Sequence, residues 1–180
     1  HSLLVARLAD QLGDAFGAHP GHAHLAGLFH DVGKIFLQQY FAVEFDAVLA
    51  HARATGVPWH QAEAEVIGLD HAQAGAAIAH TLGVALPVVL AIRYHHDPLH
   101  PDCLADPATG GGLLPACLSV ANAGAKQLVA GIESGAPLPA MADLPEFHHL
   151  CQFERQQSLN LHLQNELQLV DDELEVFLQQ

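Results

Sequence analysis

The feature that most constrains this chain is a helical apolar period broken repeatedly by glycine and proline. Leu3, Leu4, Leu8, Leu12 and Phe16 recur at helix-like spacing, and Gly17 and Pro20 close that segment. A second segment, residues 22–29, leads through His30-Asp31-Val32-Gly33-Lys34 into an apolar stretch at 35–41. Phe45, Val48, Leu49 and Ala52 mark a further helix that stops at Thr55-Gly56. Pro58 suits the first turn of a helix over 59–67, because its missing N–H would have no partner there. Asp70 can cap a helix reaching Leu82 and closed by Gly83, and Leu86-Pro87 opens another that runs to His95. No run of five or more residues alternates with a period of two and carries β-branched side chains. The expected fold class is all-α.

At 180 residues and 51% hydrophobic side chains, the chain can fill one core and has little left for a second. Residues 1–142 read as one helical domain and 143–180 as a C-terminal helical extension packing on it. Two joints interrupt the helices. Residues 97–112 hold Pro98, Pro101, Pro107 and Gly110-Gly111-Gly112 and are expected to form a long loop after a histidine pair; residues 134–145 form a second Gly/Pro-rich joint. Over residues 143–180 eight acids face Arg155 alone, and Leu159, Leu163, Leu167, Val170, Leu174 and Leu178 share one helical face. That face either packs on the domain or forms a partner or dimer surface. The apolar stretch 74–92 has the length of a membrane span, but His80, Thr81, Gly83 and Pro87 break it into two helical pieces. The chain starts at histidine with no Lys/Arg-led signal peptide, so it is expected to be part of something longer. Cys103, Cys117 and Cys151 form no C-x-x-C pair, which excludes a disulfide framework and a zinc ribbon and points to a reducing, cytoplasmic setting.

Six Lys+Arg against 20 Asp+Glu give a net charge of −14, the wrong sign for nonspecific nucleic-acid binding or an anionic membrane. Histidine is the outlying residue, with 15 copies. Ten of them (His19, His22, His24, His51, His60, His80, His100, His148, His149 and His162) have no obvious chemical neighbour and read as surface groups. The other five do have one: His1 opens the first helix, His30 precedes Asp31, His71 follows Asp70, and His95-His96 closes a helix. An imidazole and an adjacent carboxylate can both turn to one cation where a helix ends, whereas within a helix successive side chains diverge by about 100°. Gly33 permits a tight approach, and Gly75, four residues after His71, leaves that helix face bare for a neighbour.

These residues resemble the HD superfamily of metal-dependent phosphohydrolases, and more closely its HDOD branch, the HD-related output domains. The matching stretches are His1-Ser2 with Val5-Ala6, Gly27 through Lys34, Glu65 through Ala76, Leu86-Pro87, Ala91 through Pro98, and Ser119-Val120-Ala121-Asn122. The resemblance implies that His1, His30 and Asp31 hold a metal, with Asn122 where these enzymes carry a late aspartate. His71, His95 and His96 would complete a second position as in the two-metal relatives. Asp31 would be the bridging carboxylate and Lys34 the cation that meets a substrate phosphate. Such a centre takes one or two divalent ions, iron, manganese, nickel or zinc. Asn122 offers a neutral carbonyl where a charge is expected, and the Gly-Tyr-Pro signature of cyclic-dinucleotide phosphodiesterases is absent.

Two functions follow from the resemblance. The first is a bacterial, cytoplasmic signal-transduction output domain, fed by an upstream receiver or other sensor module, with the metal serving structure or sensing. The second is a metal-dependent phosphohydrolase acting on a nucleotide or related phosphoester. A homodimer is compatible with either.

Overall fold

The computed structural model describes residues 1–19, 21–133 and 143–153. Among them all regular structure is helical and there is no strand. The predicted amphipathic helix over 159–178 lies outside the described residues, as does most of the 134–145 joint.

The first helix, α1 (Ser2–Phe16), ends as its sequence requires, with Gly17 in the left-handed region at φ 77° and its N–H on the last turn. Helices α2 (His22–Phe29) and α3 (Val32–Tyr40) are separated only by His30-Asp31. Next come α4 (Ala42–Thr55), stopped by Gly56, and α5 (Trp59–Ile67), entered through Pro58. The Asp70 carboxylate accepts from the Gln73 N–H at 2.8 Å and so caps α6 (His71–Thr81). Helix α7 (Leu86–Tyr94) carries Pro87 in its first turn. The stretch 97–112 departs from the expected loop. Pro101 opens a one-turn helix, α8 (Pro101–Ala105), and Pro107 opens a 3₁₀ turn (Pro107–Thr109). A proline there starts a helix as readily as it breaks one, because its absent N–H falls where none is needed. A long helix α9 (Leu113–Glu133) follows, and α10 (Pro145–Phe153) packs on it.

The main core joins α1, α2, α6, α7, α9 and α10 through Val5, Leu8, Leu12, Ile92, Leu118 and Leu150, all buried. A smaller lobe, α3 to α5, packs around Leu37, Phe45 and Val48 and leans on the main lobe through α6. Two glycines set the spacing. A Cβ on Gly27 would stand 2.7 Å from the Ala6 backbone nitrogen, so α1 and α2 touch backbone to backbone. One on Gly33 would stand 2.8 Å from the Gly75 nitrogen and collide with the His71 carbonyl, which brings α3 directly against α6. The helix ends bearing His30-Asp31, His71 and His95-His96 meet where the lobes join.

Candidate metal centre

Three of the five singled-out histidines are held from behind. His30 and His95 are the residues just after α2 and α7, where helix carbonyls lack an N–H partner from the next turn. His30 Nδ1 donates to the Gly27 carbonyl and His95 Nδ1 to the Ile92 carbonyl, each at 2.7 Å. His71 Nδ1 lies 2.5 Å from Oε2 of Glu63, a wholly buried carboxylate on α5 that also accepts the His71 backbone N–H at 2.8 Å. With Nδ1 engaged, each ring turns Nε2 inward, the standard support for a metal-binding histidine, and in His30 and His95 that nitrogen keeps a free lone pair.

Asp31 sits where these nitrogens converge. Its Oδ2 is 3.4 Å from His30 Nε2 and 2.7 Å from Lys34 Nζ, and its Oδ1 is 3.3 Å from His71 Nε2. Two sets of donor atoms each lie within 4.8 Å of one another: His1, His30 and Asp31 form one, and His71, His95 and His96 the other. The rings of His30 and His95 meet edge to face at 5.3 Å and join the two sets. Asn122, half-way along α9, receives His1 Nε2 on its Oδ1 at 3.1 Å. All seven residues implied as ligands therefore come together, with Lys34 beside them.

The electrostatics favour ligand-ready forms. Burial lowers the pKa of His30, more than offsetting the pull of Asp31, and lowers those of His95 and His96, where neighbouring imidazoles add to the effect. Burial works to raise Asp31, but His71, His30 and Lys34 outweigh it and hold the carboxyl below the usual range. His71 moves the other way. Burial opposes its protonation, yet hydrogen bonds to Asp31 and Glu63 raise its pKa. His96 Nε2 lies 2.9 Å from His71 Nε2, a contact that needs a proton on one nitrogen and a lone pair on the other.

A cation fits this arrangement on an observation independent of any relative. His30 Nε2 and His95 Nε2 are buried and have no hydrogen-bond partner, and the buried Asp31 Oδ1 faces His71 Nε2 at 3.3 Å. Two buried imidazole nitrogens left without a partner, one in each set of donor atoms, would be costly as a purely structural device. Imidazole nitrogen with carboxylate and amide oxygen is the donor set of divalent first-row metals.

Sequence reading missed three residues here. Glu63 sits on another helix, and its one signal is an acid sharing a helical stripe with Val66 and Ile67. His60, read as incidental, stacks on His96 with ring centroids 4.0 Å apart. Lys126, one turn beyond Asn122, lines cavities on both sides of His96. Other histidines read as isolated also have neighbours: His51 pairs with Glu65 at 2.5 Å, His19 stacks on His22, and His100 accepts the Asp102 N–H.

An all-α domain whose helix ends gather histidines around one aspartate defines an HD-type domain. The chain belongs to the HDOD domain family, whose profile matches residues 1–98. Solved structures share the fold. An HDOD domain protein of unknown function from Geobacter sulfurreducens superposes with a TM-score of 0.70 at 24% identity, over 97% of this chain and 61% of its own. A candidate signal-transduction protein of Marinobacter aquaeolei gives 0.64 at 23%, over 98% of this chain and 37% of its own. A candidate phosphohydrolase of Shewanella amazonensis gives 0.57 at 20%, over 86% and 58%. The chain thus spans less than two thirds of each of these proteins. No curated protein matches it. Among the described residues, no helix is long and apolar enough to cross a membrane.

Proposed function

We propose that the chain is an HDOD-type output domain of a signal-transduction protein that retains a divalent-metal centre at the junction of its two lobes. Two sets of donor atoms, each with a buried, unpartnered imidazole nitrogen (His30 Nε2 in one, His95 Nε2 in the other), carry the metal part of this reading; family membership carries the output part. His1, His30, Asp31 and Asn122 would hold one ion, and Asp31, His71, His95 and His96 a second. Such an ion, of iron, manganese, nickel or zinc, lowers the pKa of bound water and polarises a phosphoryl oxygen. The chain's own groups do the rest: Glu63 and two helix-end carbonyls fix the rings, Asp31 stays ionised between both halves, and Lys34 stands ready for an anion. The centre ties the ends of α2, α6 and α7 to the start of α1. It would therefore let a cytoplasmic domain feel a displacement of its N-terminus imposed by an upstream receiver or sensor module, with a second copy of the chain as a further candidate partner.

Elemental analysis of the purified chain tests the centre. Near-stoichiometric iron, manganese, nickel or zinc is expected, and its absence after supply of each metal overturns the reading. A second reading, a phosphohydrolase acting on a nucleotide or related phosphoester, is favoured by Lys34, whose ammonium is placed 2.7 Å from the central carboxylate. Phosphoester hydrolysis by the parent chain and by Asn122→Asp separates the two. Turnover by the parent makes the domain an enzyme. Turnover only in Asn122→Asp makes it a disabled one.

A further inference from the structure

Helix α4 is apolar on both of its sides. Phe45, Val48 and Ala52 turn into the smaller lobe. Val43, Ala47, Ala50 and Ala54 are exposed, and Val43, at 81%, is the most exposed large apolar side chain among the described residues. At about 100° per residue these four fall within about 30° of the direction pointing away from Phe45 and Ala52. A surface helix carries a polar outer face, and a helix apolar all round is one with both sides covered. Helix propensity accounts for the alanines but not for the valine, a poorer helix former.

The charges beside this face have an order. Glu44 and Arg53 are exposed on opposite flanks, equally far along the helix from the midpoint of Ala47 and Ala50, and neither forms an ion pair among the described residues. A second α4 laid antiparallel across the first, with a two-fold axis through that midpoint, sets Ala47 against the partner's Ala50 and Val43 against the partner's Ala54. Glu44 then comes level with the partner's Arg53 on the same flank, and Asp46 with the partner's His51 on the other. The axis repeats each contact, as a self-complementary interface requires, and the two helix dipoles run in opposite directions. Alanines at the crossing let the backbones approach closely.

We propose that a second copy of the chain docks on this face, forming a homodimer through an antiparallel α4 pair. The second copy named above as a candidate partner thereby gains a surface, and because α4 carries none of the residues gathered around Asp31, the pairing does not depend on the metal centre. One helix of 14 residues, about 21 Å long, makes a small interface, so the expected Kd is about 10–100 µM.

Sedimentation equilibrium of the full chain from about 5 to 500 µM, once after chelation and once loaded with manganese, reads the association. A monomer–dimer equilibrium is expected in both states. Ala47→Arg sets a charge against the partner's Ala50 and should weaken pairing more than about tenfold. Arg53→Glu sets a carboxylate against the partner's Glu44 and should weaken it about tenfold. Glu44→Arg combined with Arg53→Glu restores opposite charges and should recover the parent's association to within about twofold. Each exchange works against the helix dipole, so that recovery cannot come from a sturdier helix. A chain monomeric over the whole range overturns the proposal. So does a dimer indifferent to Ala47→Arg, which would place the second copy on another surface, and so does a double exchange that recovers nothing. Elemental analysis of the same samples keeps the two readings apart: a dimer that takes up no metal sinks the centre alone, and a metal-loaded monomer sinks the dimer alone.

Discussion

The two halves of the centre are built to different standards. His71 and His95 are buried and held through Nδ1 by Glu63 and the Ile92 carbonyl. His96 packs between the rings of His60, His71 and His95. On the other side His30 is equally well supported, but His1 is exposed and is held at its ring by the neutral Asn122. The first half is preorganised, so a metal there meets rings that have already lost their freedom. The second must order His1 as it binds and gains no charge from Asn122. Under the proposed metal reading, such a centre would hold one ion firmly and the other weakly.

The strongest challenge to that asymmetry is Asp31→Asn, since Asp31 faces both halves. Retained metal is expected to fall at both positions by more than the roughly 10- to 100-fold typical of losing a supporting partner. Elemental analysis after dialysis reads this directly. One full equivalent surviving would mean that the carboxylate serves a single half. Glu63→Gln should act on one side only. It keeps the shape of the support but removes its charge, and the affinity of the His71 half should drop about 10- to 100-fold. Competition with a chromophoric chelator measures it, and an equal loss at the His1 half would show that the two are not independent.

What could be read beforehand follows a physical line. Helix ends were legible because their signals are local: Gly17 and Gly56 take positive φ, and Asp70 caps with its own side chain. His30-Asp31 was legible because the ligands are neighbours in sequence at a helix junction. Glu63 was not, because its value depends on α5 and α6 lying side by side, which no short-range pattern specifies. His60 was missed for the same reason, its partner His96 being on another helix. The prolines of 97–112 misled because proline both ends and begins helices, and here Pro101 and Pro107 begin them. Asn122 was identified through the HD resemblance, yet only packing shows that it meets His1.

Asn122→Asp would narrow the difference between the halves. An anionic acceptor in place of the amide makes the contact to His1 charge-assisted, and it gives a bound cation a carboxylate. The second equivalent of metal should bind about tenfold more tightly, in line with the roughly 1–1.5 kcal/mol by which a hydrogen bond to a charged group exceeds one to a neutral group. Stoichiometric titration with manganese checks this. No gain would mean that exposure of His1, and not the missing charge, sets the weak half.

The smallest expected effect is that of pH, and it separates His71 from the other ring ligands. The pKa of His71 is raised in the folded chain, because its bonds to Asp31 and Glu63 outweigh burial. Its contribution to stability is thus present in full below about pH 6.5, the unfolded value, and is lost as pH rises through the folded value. His30, His95 and His96 are lowered by burial, so their contribution is present above about pH 6.5 and lost as pH falls below it. Thermal melting of the metal-free chain should therefore decline below pH 6.5, where three rings must charge inside the protein. The one opposing ring should soften the gain above that pH. Metal uptake should follow a different course. A proton on His71 Nε2 competes with the ion for the same lone pair, so affinity in the His71 half should keep rising above pH 6.5 until that proton is gone. The His1 half, in which His30 is already neutral, should level off at lower pH. Metal titrations at stepped pH that gave both halves one common profile would remove His71 as the distinguishing ligand and, with it, the electrostatic part of the asymmetry.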